Sequence, residues 1–102
     1  MSVIVVATIR PLPEHQDEVV AAFVAAIPQV HDEPGCELYA LHQGDGRLVM
    51  IEKWESGAAL GAHSTSAALV ALGAQLEGKL SEPLDVQVMQ AVPAGAEALG
   101  TV

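Results

Sequence analysis

EPGCELYALHQGDGRLVMIEKWESGAALGAH, residues 33–63, has the clearest strand pattern in the chain. It contains two runs of strand-forming residues, Cys36 to Gln43 and Arg47 to Glu55, which are joined by Gly44-Asp45-Gly46. A three-residue connection with two glycines is typical of a β-hairpin. The stretch therefore predicts two antiparallel strands at the centre of the chain.

The residues on either side of this hairpin add further strands and helices. The predicted elements are a strand from Val3 to Ile9, a helix from Glu14 to Val30, a short helix from Gly57 to about His63 capped by Ser56, a second helical piece from Ser66 to Leu80, and a strand from Leu84 to Ala91. Pro28 is expected to bend or loosen the last turn of the first helix. The order β-α-β-β-α-β predicts an α+β, ferredoxin-like fold with both helices on one face of a four-stranded antiparallel sheet.

The length of 102 residues fits one domain. We assign residues 1–92 to this domain. Residues 93–102 are rich in Ala and Gly and are expected to form a flexible tail or to pack on a partner.

The second face of the predicted sheet is apolar as well, because the first and third strands offer Val, Ile, Leu and Met on both sides. An exposed apolar face of this size usually marks an interface or a ligand site. A second copy of the chain is the simplest cover, so we expect a homodimer. The alternative is that the tail or the loops cover this face.

Charge and composition exclude several classes of function. The chain has 13 Asp and Glu against 4 Lys and Arg, a net charge of −9, so binding to nucleic acid or to an anionic membrane is not expected. No segment is long and apolar enough to span a membrane, and the N-terminus lacks the basic region of a signal peptide, so we expect a cytoplasmic protein. Cys36 is the single cysteine, and no Cys/His spacing indicates a metal site.

Met50, Glu52 and Trp54 alternate along one strand, so their side chains point to the same face. A carboxylate among apolar neighbours needs a partner or its pKa rises, which makes Glu52 either a buried acid or base or a structural pairing residue. Trp54 is either a flat wall for a planar ligand or the main core anchor. Met50 would add to an apolar ligand-binding surface.

Tyr39 and His63 complete the set of candidate residues. The hydroxyl of Tyr39, on the neighbouring strand, would hydrogen-bond a ligand or a partner loop, or the ring would simply pack at the sheet edge. His63 follows the strand of Trp54 closely and is the histidine placed to reach the mouth of a pocket, where a neutral imidazole can take a proton. A single histidine is otherwise more often solvated or structural.

The ordered set Glu33-Pro34-Gly35-Cys36, Tyr39, Glu52-Lys53-Trp54 and His63 resembles the antibiotic-biosynthesis monooxygenase family, and the likeness runs from Val3 to about Leu80. The resemblance implies a dimeric α/β barrel, in which the sheets of two chains face one another. It implies that Trp54 and His63 line the cavity and that Glu33 and Glu52 are structural or act as an acid or base. It also implies oxidation of phenols, anthrones or quinols to quinones by molecular oxygen without a cofactor or metal.

Some residues depart from the patterns of the family's branches. Ala68 stands where related sequences often have a second histidine, and the first strand has no Asn, which argues against haem degradation. Arg10 and Arg47 are the only arginines, which argues against a phosphorylated substrate.

The leading hypothesis is therefore a cofactor-independent monooxygenase that holds a small apolar or aromatic substrate against Trp54, with His63 as the base. The alternatives are a non-catalytic dimer that binds a small molecule and a purely structural dimerisation domain.

Overall fold

The computed structural model describes all 102 residues of the chain. The strands are β1 (Val3–Ile9), β2 (Cys36–Gly44), β3 (Arg47–Trp54) and β4 (Asp85–Met89), and the helices are α1 (Gln16–His31), α2 (Gly57–Ser64), α3 (Ala67–Leu76) and α4 (Glu97–Gly100). A 3-10 turn, Pro13–His15, leads into α1. The predicted order is confirmed, with α2 and α3 together in the place of the second helix.

The four strands form one antiparallel sheet in the order β2-β3-β1-β4, as the ferredoxin-like prediction requires. Val5 of β1 pairs with Glu52 of β3, and Glu52 in turn pairs with Tyr39 of β2. Residues paired in this way lie on the same face of a sheet. The sheet is not closed within one chain, so the barrel formed with a second chain stays a prediction.

The sheet face that packs against the helices, called here the helix face, carries the core. Trp54, Leu48 and Met50 of β3 are at most 1% exposed, as are Val5 and Ile9 of β1. Burial of such side chains stabilises a fold by about 1.5–3 kcal/mol each. The alternation along β3 therefore places Glu52 in the same buried layer.

The opposite face, called here the second face, is less covered. Val6, Val49 and Ile51 lie on it and are half-buried in the single chain. Aliphatic side chains thus remain partly exposed along the two central strands.

The first helix ends within one residue of its predicted end, whereas the end predicted for the second helical piece was wrong. The first helix covers Gln16–His31 and includes Pro28, which removes one backbone N–H donor without ending the helix. The helix predicted to reach Leu80 ends at Leu76, and Gly78 then adopts a φ of +75° that a helix does not allow. Leu80 instead pairs with Pro11 in an isolated bridge.

Two strand predictions change in their details. The hairpin turn contains two residues, since Gly44 still pairs with Arg47, and Gly46 takes the positive φ of +69° that the turn needs. The last strand covers Asp85–Met89, shorter at both ends than predicted.

The C-terminal tail contains α4 and returns to the sheet. The Nζ atom of Lys53 donates a hydrogen bond of 2.9 Å to the backbone oxygen of Val102. The division of the chain at residue 92 stays a prediction. No helix in the structure has the length and apolar character needed to cross a membrane.

Candidate functional site

A cavity of about 170 Å³ lies between the helix face and helices α2 and α3. Of its 14 lining residues 11 are hydrophobic, and the others are Glu52, His63 and Ser64. Apolar pockets with a few convergent polar groups are the usual form of a small-molecule site. We call it the His63 cavity.

Helix α2 positions His63 beside this cavity. The helix begins after Ser56, whose hydroxyl accepts a hydrogen bond of 3.1 Å from the backbone N–H of Ala59. The His63 side chain, in the last turn, is only 5% exposed. A buried imidazole needs hydrogen-bond partners, and these decide what chemistry it can perform.

The partner of His63 is Glu33, on the segment that follows α1. The Nδ1 atom of His63 lies 2.8 Å from Oε1 of Glu33, and the Glu33 side chain is itself only 15% exposed. An ionised carboxylate can only accept hydrogen bonds, so Nδ1 carries the proton in this contact. In the neutral ring, Nε2 is then left as the acceptor.

The free nitrogen of His63 faces the cavity. Nε2 lies 3.8 Å from Oε1 of Glu52, which is beyond hydrogen-bond distance. Glu52 lines the cavity whereas Glu33 does not. The Nε2 edge is therefore on the cavity side and can accept a proton from a bound molecule.

Trp54 packs its ring against the imidazole of His63 and does not line the cavity. Its side chain is fully buried, and its ring lies 4.3 Å from the imidazole at an angle of 31°. Its indole Nε1 donates a hydrogen bond of 2.9 Å to Oε1 of Glu52. Of the two interpretations of Trp54, the observed packing is that of a core anchor.

Glu52 sits in an apolar layer with one clear partner. Burial raises the pKa of its carboxyl group, while the Trp54 hydrogen bond and the nearby His63 oppose that rise. The neighbouring Glu33 adds to the increase. The environment therefore favours the protonated form more than water does.

Tyr39 and Met50 lie on the same wall as Glu52. The Tyr39 ring packs against His63 at a centroid distance of 5.3 Å. Burial raises the pKa of its hydroxyl well above the ordinary value, with smaller contributions from Glu52 and Glu33. Tyr39 therefore stays protonated and can donate to a ligand, whereas Met50 contributes apolar surface.

The structure brings together all six residues singled out from the sequence, and their functional roles stay predictions. The sequence did not indicate the direct contact of Glu33 with His63, which are 30 positions apart. The sequence signal for it was the Pro34-Gly35 pair after Glu33, which is typical of a turn; in the structure Gly35 has a φ of +81° and lies beside Ala59 of α2. Phe23, Leu69 and Leu72 also line the cavity, but the sequence showed them only as apolar residues at helical spacing.

A larger, open cleft of about 580 Å³ lies elsewhere, between the tail and one end of the second face. Lys53 and Glu97 are the charged residues that line it, and it contains no histidine. No group of three or more His, Cys, Asp or Glu residues is placed to hold a metal ion. The His63 cavity is therefore the place where the chemically competent groups converge.

The architecture and the cavity define a ferredoxin-like α+β domain with a buried Glu-His pair at an apolar pocket. Residues 2–74 match the family model described as antibiotic biosynthesis monooxygenase. The chain belongs to this family. No functionally curated protein matches the chain.

Solved structures show the same fold. The Rv0793 protein of Mycobacterium tuberculosis is 28% identical, with a TM-score of 0.87 over 94% of this chain and 100% of that one. A structure named as an antibiotic biosynthesis monooxygenase is also 28% identical, with a TM-score of 0.83 over 89% of this chain and 99% of that one. The PA3566 protein of Pseudomonas aeruginosa, 24% identical with a TM-score of 0.82 over 89% and 94% of the two chains, shares the fold.

Proposed function

We propose that the protein is a cofactor-independent monooxygenase that oxidises an electron-rich phenol, anthrone or quinol with molecular oxygen. The observation that carries the proposal is the orientation of His63. Glu33 holds Nδ1–H at 2.8 Å, so Nε2 is directed as a base towards an apolar cavity. A base inside an apolar pocket is what formation of a phenolate requires.

The chemistry balances without another reactant. The phenolic proton passes to Nε2 of His63, and the phenolate gives one electron to dioxygen. The resulting radical pair combines at the para carbon to form a C–O bond, and the histidine returns its proton to the peroxide. Loss of the para hydrogen as a proton, with cleavage of the O–O bond, gives the quinone and one water. A quinol would instead give the quinone and hydrogen peroxide.

The surrounding residues would position the reactants. Tyr39 would donate a hydrogen bond to the substrate oxygen, and Met50 would contact its ring. Trp54 would keep the imidazole in place by packing against its ring, and Glu52, whose pKa is raised by burial, would lie beside Nε2. Desolvation inside the cavity strengthens each of these interactions.

We propose further that two copies of the chain form a homodimer through their second faces and so build the dimeric barrel. Val49 and Ile51 support this arrangement, because they are only half-buried in the single chain, and aliphatic surface that stays exposed favours association. The cytoplasmic location and the lack of a cofactor also remain predictions.

Oxygen uptake tests the catalytic proposal. Wild-type protein supplied with phenols, anthrone and quinols should consume oxygen, and His63→Ala should lower kcat by about 10²–10⁴-fold, the usual contribution of a general base. His15→Ala is the matched control, since this half-exposed histidine lies away from the cavity. No turnover of any compound, or full activity in His63→Ala, would reject the proposal.

A second candidate is a non-catalytic binding module. The cavity lining supports it, because 11 of the 14 residues are hydrophobic and would hold an apolar molecule without any reaction. Thermal stabilisation by small aromatic compounds without oxygen consumption would favour binding over catalysis. Lack of any ligand effect would favour a structural role.

A further inference from the structure

The volume of the His63 cavity limits what it can hold. At about 170 Å³ it is close to an apolar protein cavity of about 150 Å³ that binds benzene. Drug-sized ligands occupy pockets of about 300–1,000 Å³. The cavity therefore accommodates one aromatic ring with small substituents, and a fused ring system would extend beyond it into solvent.

The inner walls are not free to move apart. Phe23, Met50 and Leu72 each line the cavity and are at most 4% exposed, which means that other core side chains pack behind them. Displacing close-packed side chains costs free energy throughout their surroundings. A ligand that displaces these walls would therefore bind less tightly.

The cavity is open to solvent where its lining residues are exposed. Leu84 and Val86 are 43% and 52% exposed and mark an apolar mouth. Ser64, next to His63, also lines the cavity and is exposed.

Val86 pairs with Ala7, two residues along β1 from Val5, which pairs with Glu52. Two residues of a strand span about 7 Å. Because β1 lies between β3 and β4, Glu52 and Val86 are also two strand spacings, about 10 Å, apart across the sheet. The polar end and the mouth are therefore about 12 Å apart, so the mouth lies beyond the far end of a single phenol ring.

We propose that the substrate is a phenol or hydroquinone with a single aromatic ring. Its hydroxyl lies between His63, Glu52 and Tyr39, and its ring extends into the apolar part of the cavity, on the side of the mouth at Leu84 and Val86. Dioxygen enters through this mouth and meets the carbon at which the new bond forms. The phenolic hydroxyl rests on the proposed oxygenation, whereas the limit to one aromatic ring rests only on the volume of the cavity.

Binding measurements separate this proposal from general hydrophobic affinity. Calorimetric titration with phenol, 1-naphthol and anthrone should give the tightest binding for phenol and at least about tenfold weaker binding for anthrone. Burial of apolar area by itself predicts the opposite order, because affinity then rises with each added ring. No binding of phenol at millimolar concentration, or anthrone binding as tight as phenol, overturns the proposal.

A pair of variants on α3 tests whether the walls set the limit. Leu69 lines the cavity and is half-buried, whereas its neighbour Val70 is 68% exposed and does not line it. Leu69→Ala should improve binding of 1-naphthol relative to phenol by about tenfold, and Val70→Ala should leave the ratio unchanged. Circular dichroism establishes that both variants fold. An unchanged ratio in folded Leu69→Ala overturns the proposal.

Oxygen uptake with the same three compounds distinguishes the two proposals. Binding that falls with ring number, without any oxygen uptake, rejects the oxygenation and retains the size limit. Faster uptake with anthrone than with phenol rejects the size limit and retains the oxygenation.

Discussion

The contact between Glu33 and His63 can be tested by removing the charge of the carboxylate. Glu33→Gln still offers an oxygen to Nδ1, but its amide can also rotate to present an N–H group and reverse the tautomer. We expect kcat to fall about tenfold or more while KM changes little, because the cavity itself is intact. Steady-state kinetics check this, with the exposed Glu14→Gln as control. An unchanged kcat would show that Glu33 does not position the imidazole.

Glu52 gives a pH-dependent prediction for stability. Burial raises its pKa in the folded protein, so the folded state binds this proton more tightly than the unfolded chain. Stability from this group is therefore lost as the pH rises from the unfolded value of about 4.5 through the raised pKa. Glu52→Gln keeps an acceptor for Trp54 without the charge and should not show this loss.

Urea unfolding of both proteins at pH 4 and pH 8 measures the effect. The free energy of unfolding of wild type should fall relative to Glu52→Gln between these pH values, by about 1.4 kcal/mol for each unit by which the pKa is raised. A difference of the opposite sign would mean that the folded state stabilises the charged form of Glu52.

Between elements, Gly35 determines how closely β2 approaches α2. It has φ of +81°, and a Cβ atom there would lie 2.6 Å from Cβ of Ala59 and 2.8 Å from Cγ of Glu55. Gly46 has a similar φ of +69° but nothing within 4 Å. Gly46→Ala should therefore cost only the backbone strain, about 1–2 kcal/mol, and Gly35→Ala should cost more because α2 must move.

Urea unfolding of the two glycine variants measures that difference. Because α2 carries His63, Gly35→Ala should also reduce oxygen uptake in the fraction that folds. Equal losses in the free energy of unfolding of the two variants would show that the close approach of β2 to α2 at Gly35 does not contribute to stability.

The same elements explain which parts of the fold the sequence predicts. Strand β3 alternates between buried and more exposed positions, so its pattern predicted the shared face of Met50, Glu52 and Trp54. The end of α3 was missed because Leu80 continues the leucine spacing, while the positive φ of Gly78 breaks the helix. The pairing of Glu33 with His63 depends on tertiary packing, and single-chain periodicity carries no such signal.

At the scale of the whole molecule, the proposed homodimer predicts a particle of twice the chain mass of 10.5 kDa. Val49 lies on the second face, between Thr8 and His42 in the strand register, and is half-buried in the single chain. Val49→Asp places a charge in the proposed interface, where desolvating it without a partner opposes association. This variant should be a monomer at micromolar concentration.

Val70→Asp is the matched control for the interface, because it makes the same substitution on the solvent-exposed side of α3. Light scattering should give a dimer for the wild type and for Val70→Asp, and a monomer for folded Val49→Asp. The His63 cavity lies on the other side of the sheet, so phenol binding should persist in the monomer. A monomeric wild type would remove the barrel from the proposal, and the single sheet with its cavity would then be the functional unit.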